Sequence, residues 1–297
     1  MQKWTMVCAA AASLFWLAPA RGQTLFTDNF DSYNPGQLAT TDASTANPGP
    51  NGGPGNPWWA PFSGNGVITG ATGGVTPHSG TQMMAGAAAG DFDQNVVNIA
   101  HRFGGDATIK GNVALDFWFY DKNGAGDANS TGYGELGYYS NTPSNTDYNA
   151  NHDLSSDGTI QRLVLGTVNN TGANLSFYQA RVTGGTATVG TAYGTAGYIN
   201  TTTPRTVGWH EGRIVVGPGG TTVNFYVDNM ATPTGSYTTT LPTGLNTLIL
   251  DTQEAGSAST INYFDDVSLS TVPEPASVAA LCALAAPLLV GRRRRTA

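Results

Sequence analysis

Hydrophobic and polar residues alternate along most of the chain in short runs that predict β-strands. The clearest run is Val113–Tyr120, where Val113, Leu115, Phe117 and Phe119 fall on one face of a strand by the period of two. Similar runs, rich in β-branched and aromatic residues, occupy residues 24–33, 95–102, 161–168, 174–182, 207–216, 222–228, 245–251 and 262–270. Because no 3.6-residue period is sustained between residues 23 and 271, helix should be nearly absent from that segment.

Two of these runs predict a β-hairpin. Trp209–Val216 and the run that ends at Asp228 flank the Gly-Pro-Gly-Gly stretch at residues 217–220, which is typical of a turn. The residues of the second strand expected to face the core are Val223, Phe225 and Val227. A hairpin loop is also expected at Asp121–Asp127, after the strongest strand, because it contains an Asn-Gly pair. Many short strands with glycine-rich turns indicate an all-β, two-sheet antiparallel β-sandwich or jelly roll.

Several aromatic residues are candidates for stacking on sugars. Trp58 and Trp59 end a polar loop rich in Pro, Gly, Asn and Thr, and they either form a stacking platform or anchor that loop on the core. Tyr138 and Tyr139 lie in the Asn/Gly/Ser-rich segment 133–148. The alternative for these tyrosines is an ordinary surface loop.

The N-terminus has the features of a secretory leader. Lys3 supplies a positive charge, Trp4–Leu17 is an uncharged apolar stretch, and small residues follow at once. We expect cleavage before Arg21 or before Gln23, and we take residues 1–22 as the signal peptide. A non-cleaved anchor is the alternative, although the apolar stretch is short for a membrane span.

The C-terminus has the features of a membrane segment with a basic end. Pro273-Glu274-Pro275 precedes the apolar run Ala276–Val290, and a glycine and a group of arginines follow. A run of about 15 residues forms a helix of roughly 22 Å, which is short against a bilayer core of about 30 Å. The arginines would hold that end on the cytoplasmic side. The expected domains are therefore the signal peptide at 1–22, the β-sandwich at 23–271 and the C-terminal signal at 272–297.

The order of these parts resembles the PEP-CTERM sorting signal of Gram-negative bacteria. The residues that carry the resemblance are Val272, Pro273, Glu274, Pro275, Arg292, Arg293, Arg294 and Arg295, with the transmembrane helix between them. The resemblance implies recognition by an exosortase-type membrane transpeptidase and delivery to the outer surface or extracellular matrix, after transient anchoring in the inner membrane. An ordinary C-terminal anchor is the alternative.

Charge narrows the range of partners. The whole chain of 297 residues has a net charge of −7, but residues 23–272 alone have a net charge of −12, because six of the basic residues lie outside that segment. An acidic surface argues against nucleic acid, whose phosphates require a basic surface. Both cysteines, Cys8 and Cys282, lie in the terminal segments, so the sandwich has no thiol or disulfide.

The C-terminal third of the sandwich carries a second resemblance. The motifs are Gly208-Trp209-His210-Glu211, Val223-Asn224-Phe225-Tyr226-Val227-Asp228 and Phe264-Asp265-Asp266-Val267. They are similar to motifs of the concanavalin A-like (LamG-type) jelly rolls. This resemblance implies a two-sheet sandwich in which the first and last strands lie side by side.

If those strands pair, four carboxylates come close together: Asp28, Asp31, Asp265 and Asp266. Converging carboxylates repel one another unless a hard cation binds between them, and Ca²⁺ takes six to eight such oxygen ligands. A structural Ca²⁺ is therefore one hypothesis. In the other, one aspartate of Asp265-Asp266 caps a turn and its neighbour is solvated.

Catalytic motifs are missing from the sandwich. It has no Gly-x-Ser-x-Gly elbow and no cysteine, and its three glutamates, Glu135, Glu211 and Glu254, are far apart in the sequence. We therefore expect an exported, non-enzymatic surface or matrix protein with a structural or exopolysaccharide-associated role. The alternatives are a carbohydrate-binding module with an aromatic platform and a degenerate glycoside hydrolase, which two carboxyls within about 10 Å in an open cleft would favour.

Overall fold

A computed structural model describes residues 22–38, 58–59, 66–86, 94–98, 109, 111–127, 132–138, 161–167, 174–183, 198–238, 244–251 and 262–272. The segment Gln23–Val272 forms one compact unit. The expected leader, C-terminal helix and sorting signal, apart from Gly22 and Val272, lie outside the described residues. None of the helices within those residues has the length and apolar character needed to cross a membrane.

The secondary structure of the described residues is almost entirely β-strand, as predicted. The strands are β1 (Thr24–Asp28), β2 (Gly36–Gln37), β3 (Trp58–Trp59), β4 (Val67–Thr69), β5 (Met83–Ala85), β6 (Gln94–Asn98), β7 (Val113–Asp121), β8 (Gly132–Tyr138), β9 (Gln161–Thr167), β10 (Phe177–Thr183), β11 (Tyr198–Pro204), β12 (Gly208–Val216), β13 (Thr222–Val227), β14 (Gly235–Thr238), β15 (Thr247–Asp251) and β16 (Tyr263–Thr271). One 3₁₀ turn, Pro218–Gly220, joins β12 to β13.

The strands form two antiparallel sheets, which confirms the predicted jelly-roll sandwich. The nine-stranded sheet has the order β14-β13-β12-β7-β16-β5-β4-β2, with β1 paired to β16. The seven-stranded sheet has the order β11-β10-β9-β8-β15-β6-β3. Side chains that alternate inward from both sheets form one core, which includes Leu115, Phe117, Leu136 and Leu248.

The first and last strands of the sandwich pair, as predicted. In the antiparallel pairing of β1 with β16, Thr24 lies opposite Ser270 and Asp28 lies opposite Val267. The backbone N–H of Gln23 donates to Thr271 Oγ1 at 2.7 Å, and the backbone N–H of Thr271 donates to the Gln23 carbonyl at 2.8 Å. Both ends of the unit are therefore fixed at the same point on the sheet.

One of the two predicted hairpins is confirmed and the other is wrong. β12 pairs with β13 across the 217–220 turn, and Val216 lies opposite Val223. The segment Asp121–Asp127 instead follows β7 of one sheet toward β8 of the other. Its conformation is set by Asp121, whose Oδ1 accepts the Gly124 N–H at 2.9 Å and whose carboxylate is bound by the buried guanidinium of Arg205.

Seven of these strands lie outside the predicted runs: the short strands β2, β3, β4 and β5, and the longer β8, β11 and β14. β8 is rich in glycine, which ordinarily weakens a strand. Here the glycine has a packing role, because a Cβ atom at Gly134 would lie 2.5 Å from Cε1 of Phe117 in the opposite sheet. Gly212 on β12 makes a similar approach, where a Cβ atom would lie 2.7 Å from Cζ of the same ring. Phe117 therefore fits into space that these two glycines leave.

Candidate functional site

The outward face of the nine-stranded sheet carries a group of aromatic side chains. Alternation on β7 directs Phe117 and Phe119 into the core and leaves Trp118 and Tyr120 half-buried on the other side of the sheet. Trp209 on β12 is also half-buried, and Tyr263 on β16 is buried beside Tyr120. We call the patch formed by Trp118, Tyr120, Trp209, Tyr263 and His78 the aromatic face.

Strand register places these rings next to acidic side chains. Trp118 lies opposite Glu211 on one neighbouring strand and opposite Asp265 on the other. Two residues along β7, Tyr120 lies opposite Trp209 and Tyr263. Directly opposite residues of antiparallel strands have Cβ atoms about 4.5–5.5 Å apart, so the rings and carboxylates are immediate neighbours.

The rings contact one another across three strands. The centroids of Tyr120 and Trp209 are 5.4 Å apart in an edge-to-face arrangement, and those of Tyr120 and Tyr263 are 6.1 Å apart. The imidazole of His78 lies parallel to the indole of Trp118 and meets the Trp209 ring edge-on at 5.9 Å. The patch is therefore a continuous set of rings.

A β-bulge on β16 holds His78 in place. The pairing of β16 with β7 is irregular between Asp265 and Ser268, and Asp266 has a φ of 47°. As a result, both aspartates accept hydrogen bonds from the segment that carries His78. Asp265 Oδ2 accepts the Ser79 N–H at 3.1 Å, whereas Asp266 Oδ1 accepts the Ser79 hydroxyl at 2.7 Å. His78 Nδ1 lies 2.6 Å from Asp266 Oδ2.

The same segment also contacts Trp209. Its indole Nε1–H donates to the Thr76 carbonyl at 2.9 Å. Trp118 and Trp209 are thus fixed from both sides, by the sheet below and by the segment of residues 76–79 above. A ring held in this way loses little conformational freedom when a ligand packs against it.

Three carboxyls of this face have raised pKa values. Burial raises the pKa of Asp116, although its hydrogen bond with Arg213 opposes this. Burial also raises the pKa of Glu211; the charge of Arg213 lowers it, the charges of Asp116 and Asp228 raise it, and the charge of His78 lowers it. Burial raises the pKa of Asp265 to about 6. The hydrogen bond from the Ser79 N–H lowers this pKa, whereas the charge of Asp266 raises it. The face therefore combines aromatic surface with partly desolvated acceptors.

Trp58 does not form a stacking platform, which corrects one of the two readings of that residue. Its side chain is fully buried, and its ring contacts Phe26 and Phe30. Its Nε1–H donates to Asp28 Oδ2 at 2.7 Å. Trp58 therefore anchors its segment on the core. The side chains of Trp59 and Tyr138, and the whole of Tyr139, lie outside the described residues.

The four aspartates of the calcium hypothesis bind protein donors in separate systems. Asp28 accepts from the Phe30 N–H, the Tyr33 hydroxyl and Trp58. Asp31 Oδ1 accepts the backbone N–H groups of residues 81 and 82, and Asp265 and Asp266 accept from residues 78 and 79. Within the described part of the chain, no group of three or more His, Cys, Asp or Glu side chains could hold a metal ion. These donors do not suit one shared cation site, and calcium binding stays a prediction.

A second group of charged residues lies on the outward face of the seven-stranded sheet. Arg162 Nη2 donates to Glu135 Oε2 at 2.7 Å and to the Tyr133 hydroxyl at 2.8 Å, and that hydroxyl donates to Asp251 Oδ2 at 2.8 Å. All four side chains are buried. The sequence reveals Tyr133 and Glu135 only as alternate positions of a glycine-rich segment, so nothing in it indicates this group.

The two glutamates that the structure describes lie on opposite sides of the sandwich. Glu135 is on the outward face of the seven-stranded sheet, whereas Glu211 is on the outward face of the nine-stranded sheet. A pair of glycosidase carboxyls must flank one bond, about 5–10 Å apart. These two glutamates therefore cannot act together on one glycosidic bond.

Comparison with known proteins adds only distant similarities. No protein-family model and no curated protein matches the chain. Among solved structures, it is similar to the Bacillus licheniformis β-glucanase, at 10% identity and a TM-score of 0.39 over 85% of this chain and 99% of that one. It is also similar to the T. cruzi calreticulin globular domain, at 11% identity and a TM-score of 0.42 over 87% and 92% of the two chains. The CBM22-1 xylan-binding domain from Paenibacillus barcinonensis matches at 11% identity and a TM-score of 0.36 over 86% and 99%. These likenesses do not indicate a ligand or an activity.

Proposed function

We propose that this protein is an exported, non-enzymatic β-sandwich that binds a polysaccharide of the cell surface or extracellular matrix through its aromatic face. The observation that carries this proposal is the half-buried rings of Trp118, Tyr120 and Trp209 beside the carboxylates of Asp116 and Glu211. A sugar ring has an apolar C–H face that packs on an aromatic ring, and its hydroxyl groups donate to carboxylates. Pockets with mainly aromatic surface and a few placed polar groups are typical of ligand sites.

The charge of the sandwich supports a glycan over other polymers. The net charge of residues 23–272 is −12, which repels nucleic acid and acidic membrane surfaces. Binding to a neutral or cationic sugar polymer faces no such repulsion. The rigid support of Trp118 and Trp209 by the sheet and the 76–79 segment also favours this role.

A binding role without catalysis agrees with the placement of the acids. Glu135 and Glu211 are on opposite faces, and Asp265 is fully buried with both oxygens bound to backbone N–H groups. Among the described residues, the two acids whose charges act on Glu211 are bound to other side chains, since Asp116 bonds to Arg213 and Asp228 bonds to His210, which disfavours their acting with Glu211 as a glycosidase pair. Release of reducing sugar from a bound polysaccharide would contradict the non-enzymatic role and favour the degenerate or active hydrolase instead.

The experiment that tests glycan binding is affinity electrophoresis of the sandwich in gels containing soluble polysaccharides, followed by calorimetry with oligosaccharides. Trp209→Ala should weaken binding at least tenfold because it removes a stacking surface, and Trp118→Ala should do the same because it removes the ring that supports the stacked imidazole of His78. The matched control is Val215→Ser, on the same outward face of β12 but away from the rings. Unchanged affinity in both tryptophan variants, with the control also unchanged, would contradict the role of the aromatic face.

The proposed export route has its own test. The leader at residues 1–22 and the tail at 272–297 would direct the chain out of the cell, where an exosortase-type transpeptidase would cut near Pro273-Glu274-Pro275. Mass spectrometry of the mature surface protein should find a C-terminus close to residue 275. A tail that retains Arg292–Arg295 in the exported form would contradict sorting by cleavage.

A further inference from the structure

The imidazole of His78 is held in one orientation on the aromatic face. One side of the ring is stacked on the Trp118 indole. At its edge, Nδ1 lies 2.6 Å from Asp266 Oδ2. The other oxygen of that carboxylate accepts the Ser79 hydroxyl at 2.7 Å, so Asp266 is itself fixed. Because the imidazole is already ordered, it loses little conformational freedom when a ligand binds to it.

The contact with Asp266 decides which ring nitrogen of His78 is left for a ligand. A carboxylate accepts hydrogen bonds, so the proton of the neutral imidazole lies on Nδ1, and Nε2 has a lone pair that accepts. Among the described residues, the contact with Asp266 is the only hydrogen bond of the His78 side chain. The side chain is 28% exposed. Nε2 is therefore an oriented acceptor that no donor in the described part of the chain binds.

Trp209 supplies apolar surface next to this acceptor. Its ring centroid is 5.9 Å from that of His78, and the two ring planes are inclined by 65°. The Trp209 side chain is half-buried, and its Nε1–H already donates to the Thr76 carbonyl. The indole therefore offers a ligand ring surface but no free donor. Apolar surface beside a fixed polar atom is the usual composition of a ligand site.

The carboxylates around His78 have partners within the protein. Asp266 is bound by His78 itself, and Asp116 is bound by the Nε–H of Arg213. Glu211 forms a longer ion pair with Arg213, with 3.9 Å between its Oε1 and Nη2. Burial raises the pKa of Glu211, whereas the charge that His78 carries when protonated lowers it. This environment does not require a charged ligand, and the acidic sandwich repels an anionic one.

From these contacts we infer that His78 determines the specificity of the aromatic face, and that its Nε2 accepts a hydrogen bond from a free hydroxyl group of a neutral glycan that packs against Trp209. The inference rests on the proposed glycan-binding function and adds the class of ligand and the residue that selects it. A methylated hydroxyl has no proton to donate, so Nε2 would meet an ether oxygen, which is also an acceptor. The face should therefore discriminate against O-methylated sugars, because the acceptor would be left without a partner.

Isothermal calorimetry at pH 8 with two sets of oligosaccharides tests the inference. The first set is cellopentaose, xylopentaose and mannopentaose, with the pentamer of any other neutral polysaccharide that affinity electrophoresis selects. The second set is the same pentamers with every hydroxyl methylated. At least one unsubstituted pentamer should bind at least tenfold more tightly than its methylated form.

His78→Phe is the decisive variant, because it keeps a ring over Trp118 and lacks Nε2. It should weaken binding of that unsubstituted pentamer at least tenfold and leave binding of the methylated pentamer unchanged. Val215→Ser, on the same outward face but away from the rings, is the matched control and should change neither affinity.

NMR of the His78 ring gives a result that a purely structural role would not produce. At pH 8 the ¹⁵N chemical shifts of the free protein should show a protonated Nδ1 and an unprotonated Nε2. Binding of the unsubstituted pentamer should shift the Nε2 resonance more than that of Nδ1, because Nε2 gains a donor. A ring with a proton on Nε2, or an Nε2 resonance that stays in place when the pentamer binds, would contradict the inference.

The outcomes separate this inference from the proposed function. A pentamer that binds the wild type and His78→Phe equally well, but loses affinity in Trp209→Ala, would overturn the role of His78 and leave glycan binding intact. Equal affinity for the unsubstituted and methylated pentamers has the same meaning. If affinity electrophoresis finds that only charged polysaccharides bind, the neutral class of ligand is wrong. If no polysaccharide and no pentamer binds, the proposed function fails and the inference fails with it.

Discussion

The imidazole of His78 lies flat against the indole of Trp118, with ring centroids 3.6 Å apart and an angle of 14° between their planes. His78 precedes β5, whereas Trp118 lies in the middle of β7. The stack therefore joins a surface segment to the outward face of the sheet. A 2.6 Å contact between His78 Nδ1 and Asp266 Oδ2 fixes the imidazole from its edge.

Replacing His78 by alanine should lower the free energy of unfolding by about 1–2 kcal/mol, because a stacked aromatic pair contributes about 0.5–1.5 kcal/mol and the bond to Asp266 is lost as well. Denaturant unfolding measures this change. His78→Phe is the matched control, since it keeps a ring over Trp118 and loses only the bond to Asp266. A double-mutant cycle of His78→Ala with Trp118→Ala should give a coupling energy of about 0.5–1.5 kcal/mol. Zero coupling would show that the stack does not form in solution.

Asp265 should make the sandwich less stable as the pH rises from about 4 to about 6. Burial raises its folded-state pKa to about 6 from 3.8, so the folded protein holds a proton that the unfolded chain has released. The contribution of this proton to the free energy of unfolding is therefore complete below the unfolded pKa. It is lost as the pH rises through the folded pKa, by up to about 3 kcal/mol. Urea unfolding across this range measures the slope. Asp265→Asn should flatten the slope, and it should also lower stability across the range, because its NH₂ group replaces an oxygen that accepts a backbone N–H; an unchanged slope would rule out Asp265 as its source.

His210 should contribute a separate loss of stability at higher pH. Its Nδ1 is 2.9 Å from Asp228 Oδ2 and its Nε2 is 2.8 Å from the Thr206 carbonyl, and both partners can only accept hydrogen bonds. The geometry therefore requires the imidazolium form. Burial lowers the pKa of His210, but the bonds to Asp228 and Thr206 and the charges of Asp228 and Asp121 outweigh it, and the pKa is raised above 6.5.

Since the folded pKa of His210 exceeds the unfolded value, the stability from its protonated form is complete below pH 6.5 and is lost as the pH rises through the folded pKa. Chemical unfolding from pH 6 to 9 measures this loss, and NMR titration of the imidazole gives the folded pKa directly. Asp228→Asn should shift that pKa downward and reduce the loss. A folded pKa at or below 6.5 in the wild type would contradict the imidazolium assignment.

Removing Arg162 alone should lower the free energy of unfolding much more than removing it together with its partner Glu135. Arg162→Met leaves Glu135 buried without the guanidinium that binds its Oε2 through Nε and Nη2. Breaking a buried ion pair in this way costs about 3–5 kcal/mol, whereas replacing both residues by apolar ones is often nearly neutral. Guanidinium chloride unfolding should therefore place the double variant Glu135→Leu/Arg162→Met closer to the wild type than Arg162→Met. Additive losses would show that the two side chains are not energetically coupled.

Gly134→Ala should destabilise the sandwich by about 1–3 kcal/mol, because the new Cβ atom would lie 2.5 Å from the Phe117 ring and force the core to shift. Gly217→Ala is the control, since its Cβ atom would meet neighbours only at 3.5 Å or more, and it should cost much less. Thermal unfolding measures both changes. A smaller residue at position 117, as in Phe117→Leu, should reduce the cost of Gly134→Ala if the clash is its cause.

Much of the fold followed from the sequence. The strongest strand was expected at residues 113–120 and is observed at Val113–Asp121, and the expected core positions Leu115 and Phe117 are buried. Alternation also implies that Trp118 and Tyr120 lie on the other face. For the glycine-rich β8 the sequence favours a tyrosine-bearing loop, because the reason for its glycines lies in a phenylalanine of the opposite sheet.

The sequence by itself determined which residues of a strand share a face, since the period of two depends only on local backbone geometry. It also indicated that the ends of the sandwich meet, through the resemblance of its motifs to a known jelly roll. It did not determine the contacts that each strand face makes with loops distant in the chain. His78 reaches Trp118, and Arg162 reaches Glu135, only because strands distant in the chain are neighbours in the sheets. Strand order and the β-bulge at Asp266 arise from packing of the whole core. The tertiary structure therefore decided the composition of the aromatic face and the charge environment of Glu211.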